Sequence, residues 1–303
     1  MKKSNMIPAV TAALLIILYA VSFIPAVKRS NAEKSILSAL MNKKYKDSVH
    51  EMQITKGENS IRLYKKDESG VWKGSIHESI FPVDNAVISR FIQHLTNTRS
   101  MYKISDRKVK WSLLGVDESA ATTVFYKNDV NMSTKLYFGS QNFLKTRRYL
   151  RTDNNFAVYE IDSDIDTYLS PSPSVWMDPY IVPRNVNGKI TQGDIQRINA
   201  GGAYYSCKDT DFGKKCAGLL ELRHGDLTES VQNKKAAYSI KIEDGDGFTI
   251  TIHIYGNGEE GKILLYSFSN GLTGRTYDYK YSVLVSSWTF NKITELFPPA
   301  AAE

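Results

Sequence analysis

Two glycine-rich stretches near the C-terminus have residue types that could hold a phosphate group or a calcium ion. Residues 256–261, GNGEEG, match the phosphate-binding pattern G-x-G-x-x-G, which works where a helix follows the glycines. Here strand-like residues follow, and two glutamates would repel a phosphate. Residues 243–247, EDGDG, resemble the start of a calcium loop, but Phe248 and Tyr255 fall at the fifth and twelfth ligand positions. We interpret both stretches as hairpin turns.

The remaining polar residues form no recognisable catalytic or metal-binding pattern. No G-x-S-x-G or H-E-x-x-H motif occurs, and the carboxylates are scattered through predicted turns. Five histidines lack the paired spacing of metal ligands; they are His50, His77, His94, His224 and His253. The sequence therefore predicts a protein that is not an enzyme, with no catalytic, cofactor-binding or metal-binding residues and no cofactor.

The two cysteines, Cys207 and Cys216, lie in one short segment, CKDTDFGKKC. Asp211–Gly213 lies midway and can turn the chain back on itself. In an oxidising compartment we expect Cys207 and Cys216 to form a disulfide that closes a loop of about ten residues. The alternative is two free thiols.

Composition and charge exclude several classes of protein. A hydrophobic fraction of 42% and two cysteines in 303 residues are not those of a fibrous protein, a polytopic membrane protein or a disulfide-dense scaffold. The formal net charge is +7, and residues 1–29 contribute four of those charges because they contain Lys2, Lys3, Lys28 and Arg29 and no acid. The remaining basic residues are dispersed, so we expect no nucleic-acid partner.

The most prominent feature is the uncharged apolar stretch of residues 6–27. Its 22 residues exceed the roughly 20 that a helix needs to cross a bilayer. We therefore predict that residues 1–29 form a transmembrane anchor, with residues 6–27 in the lipid bilayer. The alternative is a cleaved signal peptide with a cleavage site at Ser30–Ala32. The basic residues that flank the stretch are nearly balanced, but a short N-terminus stays easily in the cytoplasm, which places the body outside it.

The rest of the chain has the pattern of an α+β fold. A capping box at Ser30–Glu33 predicts a connecting helix over residues 30–46. Apolar residues then alternate with period two, and Asp84 introduces a helix, which together predict a first α+β unit at 47–182. A proline-rich run connects it to a second α+β unit at 183–303.

The two units have similar patterns. Residues 121–139 and 237–256 each show a strand, a polar turn, a strand and a closing glycine, and each unit ends with a strand that leads into a helix. We therefore predict an internal repeat, that is, two related and mainly antiparallel sheet units with short helices. Chance likeness between hairpins is the alternative.

The order of these features resembles domain-of-unknown-function family 4340. The similarity depends on Trp72, the helix start at Pro82–Asp84, the segment WSLLGV at 111–116, the glycine at 139 and the strand at 157–161. It covers residues 47–182 and, more weakly, 190–297. The resemblance implies a bacterial protein with one N-terminal membrane helix, often encoded beside ABC transporter components of the gliding-motility type. It implies no catalytic residues.

We expect a membrane-anchored, extracytoplasmic interaction module in the bacterial cytoplasmic membrane. As an accessory of an ABC transporter or cell-envelope complex, it would bind membrane or envelope proteins. The alternative is a binding protein for a small molecule or glycan, with its cleft between the two units. Two structural features distinguish these functions. A flat apolar patch near the anchored end would favour the interaction module, and an aromatic pocket with converging polar groups would favour the binding protein.

Overall fold

A computed structural model describes most of the chain after the apolar stretch. The described residues are 15, 35–65, 70–129, 132–153, 155–184, 186, 190–229, 235–256 and 261–300. The predicted anchor at 6–27 therefore lies outside them, apart from Leu15. Among the described residues, no helix has both the length and the apolar character needed to cross a bilayer.

The first sheet has ten strands. They are Ser35–Ser38 (β1), Val49–Lys56 (β2), Asn59–Lys65 (β3), Trp72–Ile76 (β4), Ser79–Pro82 (β5), Arg99–Ser105 (β6), Thr122–Asn128 (β7), Ser133–Gln141 (β8), Arg147–Thr152 (β9) and Val158–Asp162 (β10). Their order is β1-β6-β10-β9-β8-β7-β2-β3-β4-β5. The described registers are antiparallel, for example Met52 opposite Leu63, and both of these side chains are fully buried.

The second sheet has eight strands. They are Ile195–Ala200 (β11), Ala203–Ser206 (β12), Leu227–Thr228 (β13), Tyr238–Asp244 (β14), Phe248–Gly256 (β15), Lys262–Asn270 (β16), Arg275–Thr276 (β17) and Ser282–Val285 (β18). Seven follow the order β12-β11-β14-β15-β16-β18-β13, and β17 pairs with β16. Ile240, Ile242, Ile250, Ile252 and Ile254 are buried along β14 and β15, as the alternating pattern predicts.

The α-helices are short. They are Asn85–Thr96 (α1), Trp111–Leu114 (α2), Pro173–Trp176 (α3), Phe212–Glu221 (α4) and Ser287–Leu296 (α5), with 3-10 turns at Lys43–Ser48, Lys108–Lys110 and Ser163–Tyr168. Asp84 caps α1, because its Oδ1 accepts a hydrogen bond from Ala86 N at 2.8 Å. The helix expected after Asp84 is thus confirmed, and the fold consists of two mainly antiparallel sheets with a few short helices.

The two sheets share a strand order. Reading from β3, the first sheet runs β3-β2-β7-β8-β9-β10-β6, and the second runs β12-β11-β14-β15-β16-β18-β13. In both, the seventh strand follows a helix along the chain, α1 before β6 and α4 before β13. The two hairpins predicted from the sequence, β7–β8 and β14–β15, occupy the same places in these orders.

The helix predicted over residues 30–46 is wrong in the described part of that range. Residues 35–38 form strand β1, which pairs antiparallel with β6. Ile36 and Leu37 are 46% and 76% exposed, whereas Leu40 and Met41 are buried. These four apolar residues lie within a span of six positions, which fits one face of a helix. Backbone hydrogen bonds to β6 stabilise an extended chain at residues 35–38 instead. The local spacing of apolar residues cannot predict this pairing.

The chain forms two compact units, and each of them consists of three separate segments of the sequence. Compact unit 1 consists of residues 1–43, 95–121 and 136–163, and compact unit 2 consists of 44–94, 122–135 and 164–303. The predicted boundary between residues 182 and 183 falls between the last strand of the first sheet and the first strand of the second. That boundary stays a prediction.

Candidate functional site

Three strands of compact unit 1 bring together residues that are far apart in sequence. Ser105, at the end of β6, is opposite Val158 at the start of β10, and Val158 is opposite Arg151 on β9. The chain beyond β6 continues into the 3-10 turn and α2, which place Trp111 at this end of the strands. A pocket forms where these segments meet.

The pocket has a volume of about 660 Å³. That volume lies within the range of small-molecule sites, about 300–1,000 Å³. The pocket combines aromatic, basic, acidic and amide side chains; its lining residues are Lys108, Trp111, Asp117, Glu118, Tyr137, Arg151, Asp153, Asn155 and Phe156. All belong to compact unit 1.

Arg151 is the most unusual of these residues because its charge is buried. It is 4% exposed, and its Nε donates a hydrogen bond to Val116 O at 3.2 Å. Its Cζ lies 3.9 Å from the ring centroid of Trp111 and 3.6 Å from that of Tyr137. Both rings stabilise the cation through their π faces. Among the described residues, no carboxylate forms an ion pair with Arg151.

Two of the acidic residues at the pocket are engaged by their own neighbours. Asp117 Oδ1 accepts hydrogen bonds from Ser119 N, Ser119 Oγ and Ala120 N at 2.5–3.1 Å. These hydrogen bonds lower the pKa of Asp117, and the one from the Ser119 hydroxyl contributes most. Glu118 Oε1 accepts a hydrogen bond from Tyr137 Oη at 3.2 Å. Asp117 thus orders its own turn, and Glu118 orients the ring beneath Arg151.

Trp111 is fixed by the segment around it. Its Nε1 donates to Phe156 O at 3.2 Å, and the two rings stack with centroids 6.0 Å apart. Helix α2 ends at Gly115 with φ +67°, a left-handed conformation that glycine adopts without strain. Helix α2 approaches β8 closely at Gly139, where a Cβ atom would lie only 2.3 Å from Leu114 O. These two glycines let the WSLLGV segment pack tightly against β8.

The two cysteines are free thiols in the structure. Cys207 is exposed, and its Sγ lies 3.4 Å from Gln196 Oε1. Cys216 is completely buried on α4, and burial raises the pKa of its thiol to about 11. The disulfide expected between them is absent from this structure, and its formation in the cell stays a prediction.

The histidines have separate local partners. His50 Nδ1 lies 3.0 Å from Asp129 Oδ1, and His94 Nδ1 lies 2.9 Å from Asp164 Oδ2. The ring nitrogens of His224 each lie 2.8 Å from a backbone oxygen, and burial lowers its pKa. Within the described part of the chain, no three potential metal ligands cluster.

The two glycine-rich stretches lie in hairpins. Asp244 Oδ1 accepts hydrogen bonds from Asp246 N and Phe248 N, so this carboxylate stabilises the turn between β14 and β15. Gly256 pairs with Lys262 where β15 and β16 meet, and residues 257–260 lie outside the described set. The interpretation of residues 243–247 as a hairpin turn is confirmed. For residues 256–261 the pairing of Gly256 with Lys262 agrees with a hairpin, and the turn itself lies outside the described residues.

Sequence reasoning did not identify the pocket. The sequence indicates Trp111 only as part of the segment WSLLGV in the family resemblance, and no motif singles out Arg151. Arg151 and Tyr137 are neighbours because they are directly opposite on β9 and β8. Leu150 and Arg151 are consecutive and both buried, which departs from the alternation expected along a strand, so the sequence pattern carries no signal for the burial of Arg151.

Comparison with known proteins places the chain in a family. Residues 76–247 match the model of the Domain of unknown function (DUF4340) family, which is more than half of the chain. The chain belongs to this family. The resemblance seen in the sequence is therefore confirmed, and WSLLGV at 111–116 and the buried Arg151 both lie within the matched range.

A relative is known from a spirochaete. A protein of Treponema pallidum (strain Nichols), named "Uncharacterized protein", is 26% identical over 195 residues, or 64% of this chain and 60% of the relative. The alignment thus spans less than two thirds of the relative's length. No solved structure gives a significant match to the chain.

Proposed function

We propose that this DUF4340 protein is a membrane-anchored, extracytoplasmic interaction module in the bacterial cytoplasmic membrane. In this proposal residues 6–27 cross the bilayer, the N-terminus is inside, and the body acts without catalysis in an ABC transporter or cell-envelope complex. The 22 uncharged residues support the anchor. The partner class is the one that the family resemblance implies.

The observation that carries the proposal is the uneven distribution of exposed apolar side chains. Compact unit 1 holds about a quarter of the described residues. From residue 35 onward, it has eight of the twelve large hydrophobic residues that are exposed: Ile36, Leu37, Ile104, Val109, Leu113, Phe143, Leu144 and Phe156. Large exposed apolar patches are typical of interaction surfaces, so this concentration supports a binding partner for compact unit 1.

The register of the strands indicates which end of compact unit 1 is nearer the anchor. Ser35, the first residue of β1, is opposite Tyr102 on β6, so β1 begins at the end of the sheet where β6 finishes. Eight peptide units separate Val27 from Ser35, and an extended chain covers at most about 28 Å over that length. The segment that follows β6 therefore belongs to the membrane-proximal end in this proposal.

That segment has the composition of a docking surface. Val109 is 80% exposed and Leu113 is 73% exposed, and four positions separate them, which favours one face of the short helical segment. Arg107, Lys108 and Lys110 add exposed positive charge beside Val109. We assign this surface, defined by residues 107–113, to an integral membrane protein whose contact face is apolar with an acidic rim.

Site-specific photocrosslinking tests this assignment in native membranes. The full chain would carry a photoreactive phenylalanine analogue at Val109 or at Leu113, and at Leu272 or Trp288 as controls, since both controls are also exposed. We expect Val109 and Leu113 to crosslink to the same transporter or envelope protein, and the controls to give no such product. Crosslinks from all four positions, or crosslinks to lipid alone, would contradict the proposal.

Membrane topology is tested separately. An anchored chain stays in the pellet after carbonate washing, and its body is digested by protease added to intact spheroplasts. Release by carbonate would contradict the anchor, and protection from protease would contradict the orientation.

We further infer that the two α+β halves arose by tandem duplication, because seven strands follow the same order in both sheets. An experimental structure should superimpose β7–β8 on β14–β15 together with their neighbouring strands. Superposition of the hairpins alone would favour chance likeness.

A second candidate function, the binding of a small molecule or glycan, is favoured by the pocket around Arg151. The pocket has the aromatic lining and polar groups of a ligand site. It lies within compact unit 1. The chemistry of its ligand can be argued from its residues.

A further inference from the structure

We propose that the Arg151 pocket binds a sugar that carries a carboxylate, with the guanidinium of Arg151 holding that carboxylate. The proposal names a binding site and a ligand class, and it does not depend on the membrane partner proposed above. It follows from three observations: a buried cation without an anion, aromatic faces at the pocket, and side-chain oxygen acceptors beside them.

The first observation is the state of Arg151. A guanidinium has five N–H donors, and among the described residues this one makes a single hydrogen bond, from Nε to Val116 O. The side chain is 96% buried and lines the pocket. A buried charge is costly unless it is paired and hydrogen-bonded, and the rings of Trp111 and Tyr137 supply neither an anion nor an oxygen acceptor. Four N–H donors thus remain for a ligand.

The geometry of a guanidinium selects the anion. Its planar N–H groups bind a carboxylate with two parallel hydrogen bonds. The Trp111 and Tyr137 rings restrict the orientation of the guanidinium plane, since both lie within 4 Å of Cζ. A restricted guanidinium loses less entropy when it binds. Lys108 Nζ, which lies 5.5 Å from the Trp111 ring centroid, adds a second positive charge at the pocket.

The aromatic residues indicate the body of the ligand. Phe156 is 61% exposed although it lines the pocket, so it offers an apolar surface with nothing packed over most of it. The C–H face of a sugar ring packs well on such a surface. A bare phosphate would leave this surface uncovered, and an aliphatic carboxylate would cover it but would have no hydroxyl groups for the acceptors beside it.

The acidic residues supply acceptors for hydroxyl groups. Asp117 and Glu118 already accept hydrogen bonds from protein groups, whereas the Asp153 carboxylate has no partner within the part of the chain that the structure describes. Asn155 accepts from Ala157 N through Oδ1, and its amide NH₂ remains as a donor. Carboxylate and amide side chains of this kind bind sugar hydroxyls, and the negative charge of Asp153 disfavours a ligand with several anionic groups.

Calorimetry on the full chain in detergent tests the ligand class with a matched pair of sugars. D-Glucuronate and D-glucose differ in having a carboxylate or a hydroxymethyl group at one carbon. We expect oligosaccharides of glucuronate to bind at least about tenfold more tightly than those of glucose, because only the former engage the Arg151 donors. Equal binding of both, binding of neither, or tighter binding of inorganic phosphate would overturn the proposal.

Variants of Arg151 test whether this residue binds the carboxylate of the sugar. Arg151→Met removes the donors and retains a long side chain over the rings, and Arg151→Lys retains the charge without the bidentate geometry. We expect both to weaken glucuronate binding about tenfold or more. Arg197→Met is the matched control, since Arg197 lies on β11 of the other sheet with its side chain 58% exposed, and it should change binding by less than about twofold.

A structural role for Arg151 predicts a different result. Circular dichroism and thermal unfolding show whether each variant is folded. If Arg151→Lys is folded and binds glucuronate as the wild type does, the assignment of the carboxylate to Arg151 is wrong. If the variants do not fold, the comparison of the two sugars on the wild-type chain still decides the ligand class. Crosslinking at Val109 and Leu113 reports on the membrane partner independently of either outcome.

Discussion

Lys73 Nζ lies 2.6 Å from Asp278 Oδ1, although 205 residues separate them in sequence. Lys73 is on β4 of the first sheet and is 4% exposed. Asp278 precedes β18 of the second sheet, and Lys280 exchanges two backbone hydrogen bonds of 2.9 Å with Ile80 on β5. The ion pair and the backbone bridge therefore join the same two segments within compact unit 2.

This ion pair predicts a clear difference between two conservative substitutions. Asp278→Asn removes the carboxylate charge that lies 2.6 Å from the buried ammonium of Lys73, which should lower the free energy of unfolding by about 1–3 kcal/mol. Glu78→Gln is the control, because Glu78 forms a salt bridge with Lys280 at 3.3 Å with both side chains exposed, and its loss should cost less than about 0.5 kcal/mol. Urea unfolding measures both. Equal effects would show that burial of Lys73 does not strengthen the pair.

Asp178 makes stability depend on pH in an unusual direction. Its carboxylate is 3% exposed and accepts hydrogen bonds from Tyr180 N and Arg184 N at 3.1 and 2.7 Å. Burial, with a smaller contribution from the charge of Asp84, raises the pKa of Asp178 to about 6 from 3.8. The folded state therefore retains a proton that the unfolded state releases between these two values. The contribution of Asp178 to stability is complete below about pH 4 and is lost as the pH rises through about 6.

Asp178→Asn should remove that dependence. Between pH 4 and pH 7 we expect the wild type to lose on the order of 1–3 kcal/mol more stability than the variant, measured as the difference between their urea unfolding curves at each pH. Parallel curves over this range would contradict the raised pKa.

The glycines that close the two similar hairpins, Gly139 and Gly256, are expected to differ in their tolerance of a side chain. A Cβ at Gly139 would lie 2.3 Å from Leu114 O and 2.7 Å from Val116 Cγ1, whereas a Cβ at Gly256 would have nothing within 4 Å. Gly139→Ala should therefore destabilise the protein by about 1–3 kcal/mol, and Gly256→Ala should change its stability by less than about 0.5 kcal/mol. Thermal unfolding of the two variants checks this, and a tolerated alanine at 139 would mean that α2 moves freely away from β8.

Much of the sheet structure was predictable because strand patterns are local. Alternation placed Met52 and Ile54 on the buried face of β2, and Ile61 and Leu63 on that of β3; all four are fully buried. The start of α1 followed from the side chain of Asp84 in the same way. These elements depend on residues near them in sequence, so the sequence specifies them directly.

The rest depends on pairing between distant segments. Residues 35–38 are extended because β6 provides backbone partners, and β6 is more than 60 residues away. The pocket arises similarly, since Arg151, Tyr137 and Trp111 come together through strand register and a helix end. No spacing in the sequence brings them together, and a buried arginine has the same letter in the sequence as an exposed one.

The two cysteines are expected to differ in reactivity. In reduced, folded protein a maleimide should label Cys207, which is exposed, and not Cys216, which is completely buried. Burial also raises the pKa of the Cys216 thiol to about 11, so little reactive thiolate exists near neutral pH. Unfolding should make both thiols reactive. Cys207→Ser and Cys216→Ser identify the labelled position, and rapid labelling of Cys216 in folded protein would contradict its burial.

Protein taken from the cell without reductant answers a further question about the same two residues. If the body lies in an oxidising compartment, the disulfide predicts that neither cysteine is labelled, even after denaturation, until reductant is added. Closing a ten-residue loop should then add about 2–3 kcal/mol of stability over the reduced form at most. Full labelling of both cysteines in unreduced, denatured protein would show that they remain thiols in the cell, and would remove this support for an extracytoplasmic body.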